Sequence, residues 1–156
     1  MTTIAWDGET LASDSQAQAS DIICSTSEVK IYQPQPGERW SIYGETVLAI
    51  GCAGECGIER ELQKLMSENL TYASQFIPST SFTAIAVISK NLAYIIGKSQ
   101  GEDRAGISPQ TEPYAIGSGS VIASTAMHCG KDAVEAVRIA IDMDPNSGGH
   151  IQAFTI

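Results

Sequence analysis

Basic residues are scarce in this chain. Nine lysines and arginines stand against eighteen aspartates and glutamates, for a net charge of −9. Phosphate backbones need a basic face, so nucleic acid is excluded as the main partner. Long apolar runs are missing too, and none approaches the ~20 residues of a membrane-spanning helix. The opening Met1–Gly8 lacks the basic start and apolar core of a signal peptide. The expectation is a cytoplasmic protein with no membrane partner. Cysteines number four, at 24, 52, 56 and 129, and none forms a C-x-x-C pair. Cys52 and Cys56 are spaced for a helix turn, so small buried thiols are expected, with no metal and no cofactor. No G-x-S-x-G is present, and two histidines, His128 and His150, do not complete a Ser-His-Asp set. His128 reads as a helix residue and His150 as a structural or surface residue next to Gly149. The run Gly117-Ser118-Gly119-Ser120 lacks the lysine of a P-loop and the spacing of G-x-G-x-x-G, which leaves nucleotide binding with little support.

What is there suits a folded chain. With 156 residues and 43% apolar content, residues 1–156 are expected to form one domain with its own core. Thr3–Trp6 and Thr10–Ser13 read as a hairpin across Asp7-Gly8. A polar Ser/Thr-rich stretch follows, then a strand over Glu28–Tyr32. Trp40–Tyr43 and Thr46–Gly51 read as another hairpin. Glu55–Asn69 carries Ile58, Leu62, Leu65 and Met66 at helical spacing. Thr83–Ser89 and Leu92–Gly97 form a further hairpin, and Glu102–Pro113 reads as an exposed connection. A helix is expected from about Ser120, with that serine near its N-cap. A second spans Asp132–Asp142, and His150–Ile156 closes the chain as a strand. Strands and helices come in groups, which indicates α+β layering.

The chemistry left over lies at the start. Initiator methionine is usually removed ahead of a small residue, and Thr2 is small. A mature chain beginning at Thr2 carries a hydroxyl and a free α-amine on one residue, so the amine can serve as general base toward its own hydroxyl. An α-amine titrates near ~7.7–8.0, and a nearby cation would favour its neutral form. Lys30 is a candidate for that cation and Asp14 for its partner. Each has an ordinary alternative, an exposed strand lysine and a turn aspartate.

Taken together these residues resemble the proteasome β-subunit family, including the HslV-type peptidases, over nearly the whole chain. Thr2-Thr3-Ile4 resembles its mature start, Leu11–Ser15 the strand ending in its aspartate, and Val29-Lys30-Ile31 the strand with its lysine. Ala49–Glu55 resembles the strand-to-helix turn, Tyr114–Ser120 the G-S-G segment, and Asp144–Gly149 a D-x-x-S-G-G signature. The resemblance implies a four-layer αββα sandwich of two packed antiparallel sheets, the Ntn-hydrolase (N-terminal-nucleophile) fold. It implies that Thr2 attacks a peptide carbonyl and that the Gly51 N–H stabilises the oxyanion. Lys30 and Asp14 would tune Thr2, while Ser118, Asp144 and Ser147 would surround its amine. By position Ala17, Glu28, Tyr32, Ala49 and Ala53 would line the substrate cleft, with Glu28 favouring basic side chains. Self-association into stacked rings, unfolded polypeptide substrates and, in the HslV branch, an AAA+ unfoldase complete the implication.

The chain departs from the pattern in its short first hairpin, in the extra Gln33–Trp40 segment, and in having no room over Leu70–Ser81 for a long second helix. A retained Met1 would turn the Thr2 nitrogen into an amide, giving a catalytically silent ring protein. An Ntn amidase acting on small amides is a further alternative.

Overall fold

Asp7 shapes the first turn. Its Oδ1 accepts from the N–H groups of Glu9 (3.0 Å) and Thr10 (2.8 Å), so β1 (Thr3–Trp6) folds back on β2 (Thr10–Ser13) with Ile4 opposite Ser13. The computed structural model describes residues 2–55, 57–77 and 80–156. Beyond this turn come the hairpin β3 (Ala17–Ala19) and β4 (Ile22–Ser25), the two-residue β5 (Ile31–Tyr32), and the hairpin β6 (Trp40–Ile42) and β7 (Glu45–Val47). Then follow β8 (Ala49–Gly54), α1 (Ile58–Ser67), β9 (Phe82–Ser89), β10 (Leu92–Lys98), β11 (Gly106–Gln110) and β12 (Tyr114–Gly117). The chain finishes with α2 (Ser120–His128), α3 (Ala133–Met143) and β13 (Gln152–Thr155).

The larger sheets have the orders β12-β1-β2-β13 and β11-β10-β9-β8-β5, with antiparallel neighbours throughout. Side chains alternate between the faces of each strand, which sorts the core into three apolar clusters. Ile4, Trp6, Leu11 and Ile116 of the first sheet meet Ala49, Ile85, Val87 and Ala93 of the second. On the other face of the first sheet, Ala5, Ala12 and Ala115 pack on Ala123, Ala133, Ala136, Val137 and Ala140 of α2 and α3. Alanine on both sides lets helix and strand backbones approach closely. Beyond the second sheet, Ile50, Ala86 and Ile96 pack on Leu62 and Met66 of α1 and on Trp40, Ile42 and Val47 of the β6–β7 hairpin. Strands and helices are thus segregated, as the α+β expectation held.

Several boundaries differ from those expected. The polar stretch after β2 forms the β3–β4 hairpin, and of Glu28–Tyr32 only the last two residues pair as a strand. Gly106–Gln110 is a strand despite Pro109. It lies at the sheet edge, the place in a sheet where proline is tolerated. α1 starts at Ile58, because Gly57 with φ +90° stands at its N-cap. Gly119, not Ser120, occupies the N-cap of α2, whereas Asp132 caps α3 by accepting from Glu135 N–H at 2.8 Å. Cys56 and Pro78 lie outside the described residues. Among the described residues no helix is long and apolar enough to cross a membrane.

Candidate active site

Thr2 precedes β1 and is held against the end of β12. Thr3 pairs with Gly117. A side chain at Gly117, where φ is +94°, would run into the Thr2 carbonyl. Thr2 is half-buried and lines two cavities, of about 500 and 150 Å³. The residues around it form two groups.

The first group centres on Asp14, which is fully buried at the end of β2. Its Oδ1 accepts from Thr3 N–H at 3.0 Å and from Lys30 Nζ at 2.9 Å. Its Oδ2 accepts from Gln16 N–H at 3.2 Å and Gly148 N–H at 3.1 Å. Four donors, one of them the Lys30 ammonium, give this buried carboxyl the partners that burial without water demands. Lys30 is 7% exposed and donates also to the Gln16 carbonyl at 2.6 Å. Asp14 directly follows β2 of the first sheet and Lys30 directly precedes β5 of the second, so the pair spans the gap between the sheets.

The second group centres on Asp144, the residue after α3. Ser118 Oγ and Ser147 Oγ each donate to its Oδ2 at 2.7 Å, and Asn146 N–H donates to Oδ1 at 3.0 Å. The Ser147 proton is thereby committed, so Thr3 Oγ1 is the donor in its 2.7 Å bond to Ser147 Oγ. Ser118 also reaches the Thr2 carbonyl, at 3.4 Å. Burial works against ionisation of Asp144, but the bonds from Ser118, Asn146 and Ser147 outweigh it and hold the carboxyl below its ordinary range.

Thr2, Asp14, Lys30, Ser118, Asp144 and Ser147 therefore converge, from segments as far apart as residues 2 and 147. Gly51 does not join them. It lies inside β8 with Ile31 opposite on one side and Ile85 on the other, so its N–H is enclosed in the sheet ladder. A Cβ there would sit 3.0 Å from the Ile4 side chain. Three residues later Gly54, at the exposed end of β8, lines both cavities with Thr2. The sequence offers two glycines in this strand, and only the register separates the buried from the exposed one.

Of the expected cleft residues, Ala17, Glu28 and Tyr32 line the smaller cavity and Ala53 the larger. Ala49, expected there, lines neither cavity. It is fully buried between the two sheets, because odd-numbered positions of β8 point inward there. The sequence reading missed Cys52, Glu55 and Glu59 on the smaller cavity. The i, i+4 stripe of α1 marked its apolar face, and Glu59 lies off that stripe. The Tyr32 phenol is raised by burial first and then by Glu59, Cys52 and Glu28, with Arg60 opposing. Burial, with Glu59 adding, likewise pushes the Cys52 thiol far up, so it stays protonated at neutral pH. The smaller cavity is acidic.

No family model matches the chain, and no curated protein does. Its fold is similar to that of a solved structure, Thiobacillus denitrificans BPH, at 18% identity with a TM-score of 0.65, covering 99% of this chain and 96% of that one. A structure described as Thiobacillus denitrificans BPH in complex with epoxomicin is similar at 16% identity and a TM-score of 0.61, covering 99% and 97%. At these identities the likeness is one of fold.

Proposed function

We propose that this chain is a threonine peptidase of the proteasome β-subunit type, a single-domain Ntn hydrolase with Thr2 as nucleophile once Met1 is removed. The observation that carries this is the position of Thr2. It lines two cavities, between a buried Lys30–Asp14 pair and the Ser118–Asp144–Ser147 group. The order of packing, α2 and α3, first sheet, second sheet, α1, supports the four-layer αββα reading. The structure of BPH with epoxomicin, a proteasome inhibitor, supports the same class of chemistry.

On this reading the Thr2 amine takes the hydroxyl proton, directly or through one water, as Oγ attacks the peptide carbonyl. Lys30 favours the neutral amine, and Asp14 keeps Lys30 in place. Gly54, in place of Gly51, supplies the N–H for the oxyanion, an interaction of the kind typically worth ~3 kcal/mol. The carbon–nitrogen bond breaks, the amine proton passes to the leaving amine, and an ester to Thr2 remains. Water then hydrolyses that ester, releases the acid and restores the hydroxyl. Glu28, Glu55 and Glu59 on the smaller cavity suit a cationic substrate side chain. Unfolded polypeptides would be the natural substrates, reached inside stacked rings and delivered by an AAA+ unfoldase in the cytoplasm.

The test begins with intact mass. A chain lighter than its translation by one methionine residue should hydrolyse fluorogenic peptides carrying Lys or Arg at the cleaved position, and Thr2→Ala should not. Retention of Met1, or equal hydrolysis by Thr2→Ala, would refute the proposal. Sedimentation would show whether rings form, and a monomer would remove the ring from the account.

A further inference from the structure

Gln152, the first residue of β13, lies outside both cavities and yet holds the strands behind them. Its Oε1 accepts from Lys30 N–H at 3.0 Å and Ile31 N–H at 3.4 Å. Its Nε2 donates to the Glu28 carbonyl at 2.6 Å, to Ser15 Oγ at 2.8 Å, and more weakly to the Asp14 carbonyl at 3.4 Å. Every one of these partners belongs to the Asp14–Ser15 segment or to the Glu28–Ile31 segment. One side-chain amide is thus bonded to both of the stretches that carry the ion pair.

The topology explains why an amide is needed. β13 is the edge of the first sheet and β5 the edge of the second. Residues 28–30 lead into β5 along that edge, where Glu28 N–H reaches the Ser15 carbonyl at 2.9 Å. Exposed strand edges leave N–H and C=O groups in need of partners. The Gln152 amide supplies both a donor and an acceptor, as a peptide group of a neighbouring strand would. The Lys30–Asp14 pair crosses the same gap between the sheets, so the separation of the two edges sets where the Lys30 stem begins. Lysine has a flexible four-carbon stem, and its ammonium is only as well placed as its backbone.

We propose that Gln152 is a positioning residue for the Thr2 reaction, fixing Lys30 against Asp14 by stitching the edges of the two sheets. This rests on the peptidase reading. Gln152→Leu removes all five bonds with little change in volume. Gln152→Glu keeps the acceptor for Lys30 and Ile31 but cannot donate to Glu28 or Ser15.

The leucine variant is expected to lower kcat by about ten- to hundredfold, the scale of a small misplacement in an active site. KM should stay within about twofold, since Gln152 touches neither cavity. The acid limb of kcat/KM should move upward toward the ordinary α-amine range, because a displaced Lys30 no longer favours the neutral amine. The glutamate variant should fall between wild type and leucine. A second readout needs no turnover: the Lys30 ammonium resonance of lysine-labelled protein should be sharp in wild type and broadened or lost in Gln152→Leu. Unchanged kcat, pH profile and Lys30 resonance in folded variants would overturn the proposal, as would a loss confined to KM or to thermal stability. A wild-type chain that starts at Thr2 but hydrolyses nothing would sink the peptidase reading instead. The resonance would still decide whether Gln152 holds Lys30.

Discussion

Asp14 and Asp144 are both buried carboxylates within reach of the chain start, yet they are satisfied in opposite ways. Asp14 has a cation, Lys30, and three backbone N–H groups. Asp144 has two serine hydroxyls and one backbone N–H, with no cation among the described residues within bonding distance. The first arrangement neutralises its charge and spans two sheets. The second keeps a negative charge inside one cluster of loops. A free Thr2 amine would sit between a cation that favours its neutral form and an anion that favours its charged one. The contrast teaches that the base strength of such a site is a balance, adjustable from either side.

Breaking the Asp14 side should have the largest effect. Lys30→Met would leave a fully buried carboxylate without its cation, and loss of one partner of such a pair costs about 3–5 kcal/mol. Urea denaturation should show that loss, together with hydrolysis at background; a change under about 1 kcal/mol would mean the pair is not structurally coupled.

Asp144→Asn should be milder, about 1–2 kcal/mol, because hydroxyl donors can turn to other acceptors. Its pH dependence follows from the lowered carboxyl. The folded form ionises more readily than the unfolded one, so the stabilisation is fully present above about pH 4 and is lost as pH falls through the folded value. The gap between wild type and Asp144→Asn should stay level from about pH 5 to 8 and close in more acidic solution. A gap that widens on acidification would contradict this.

The smallest effect concerns the acidic cavity beside the pair. Glu59→Gln should lower the preference for Lys over an uncharged isostere by roughly fivefold in kcat/KM, the scale of about 1 kcal/mol for a partly solvated charge. An unaltered ratio would show that Glu59 does not face the substrate.

How much of this the sequence disclosed depended on the kind of signal. The first hairpin was legible because Asp7-Gly8 sits between two apolar runs. α3 was legible from its stripe and from Asp132 at its start. The convergence of Thr2, Asp14, Lys30, Ser118, Asp144 and Ser147 came through resemblance, since nothing local ties residue 14 to residue 144. Gly51 and Ala49 were misassigned because a strand alternates faces every residue. Without the register of β8 against β5 and β9, a buried glycine and an exposed one look alike. Gln152 was invisible for another reason. Its partners are mostly backbone groups of distant segments, which leave no mark on residue type. β11 was hidden by Pro109, whose tolerance depends on an edge position that only the assembled sheet defines.

On the proposed reading Thr2 forms the bond to the substrate, and the rival nucleophile on the same cavity is Cys52. Acid-quenched turnover of a lysine-containing peptide ester, followed by peptide mapping in a mass spectrometer, tests it most directly. The acyl mass is expected on the peptide that begins at Thr2, with none on the peptide containing Cys52. An acyl group on Cys52, or hydrolysis that persists in Thr2→Ala, would contradict it.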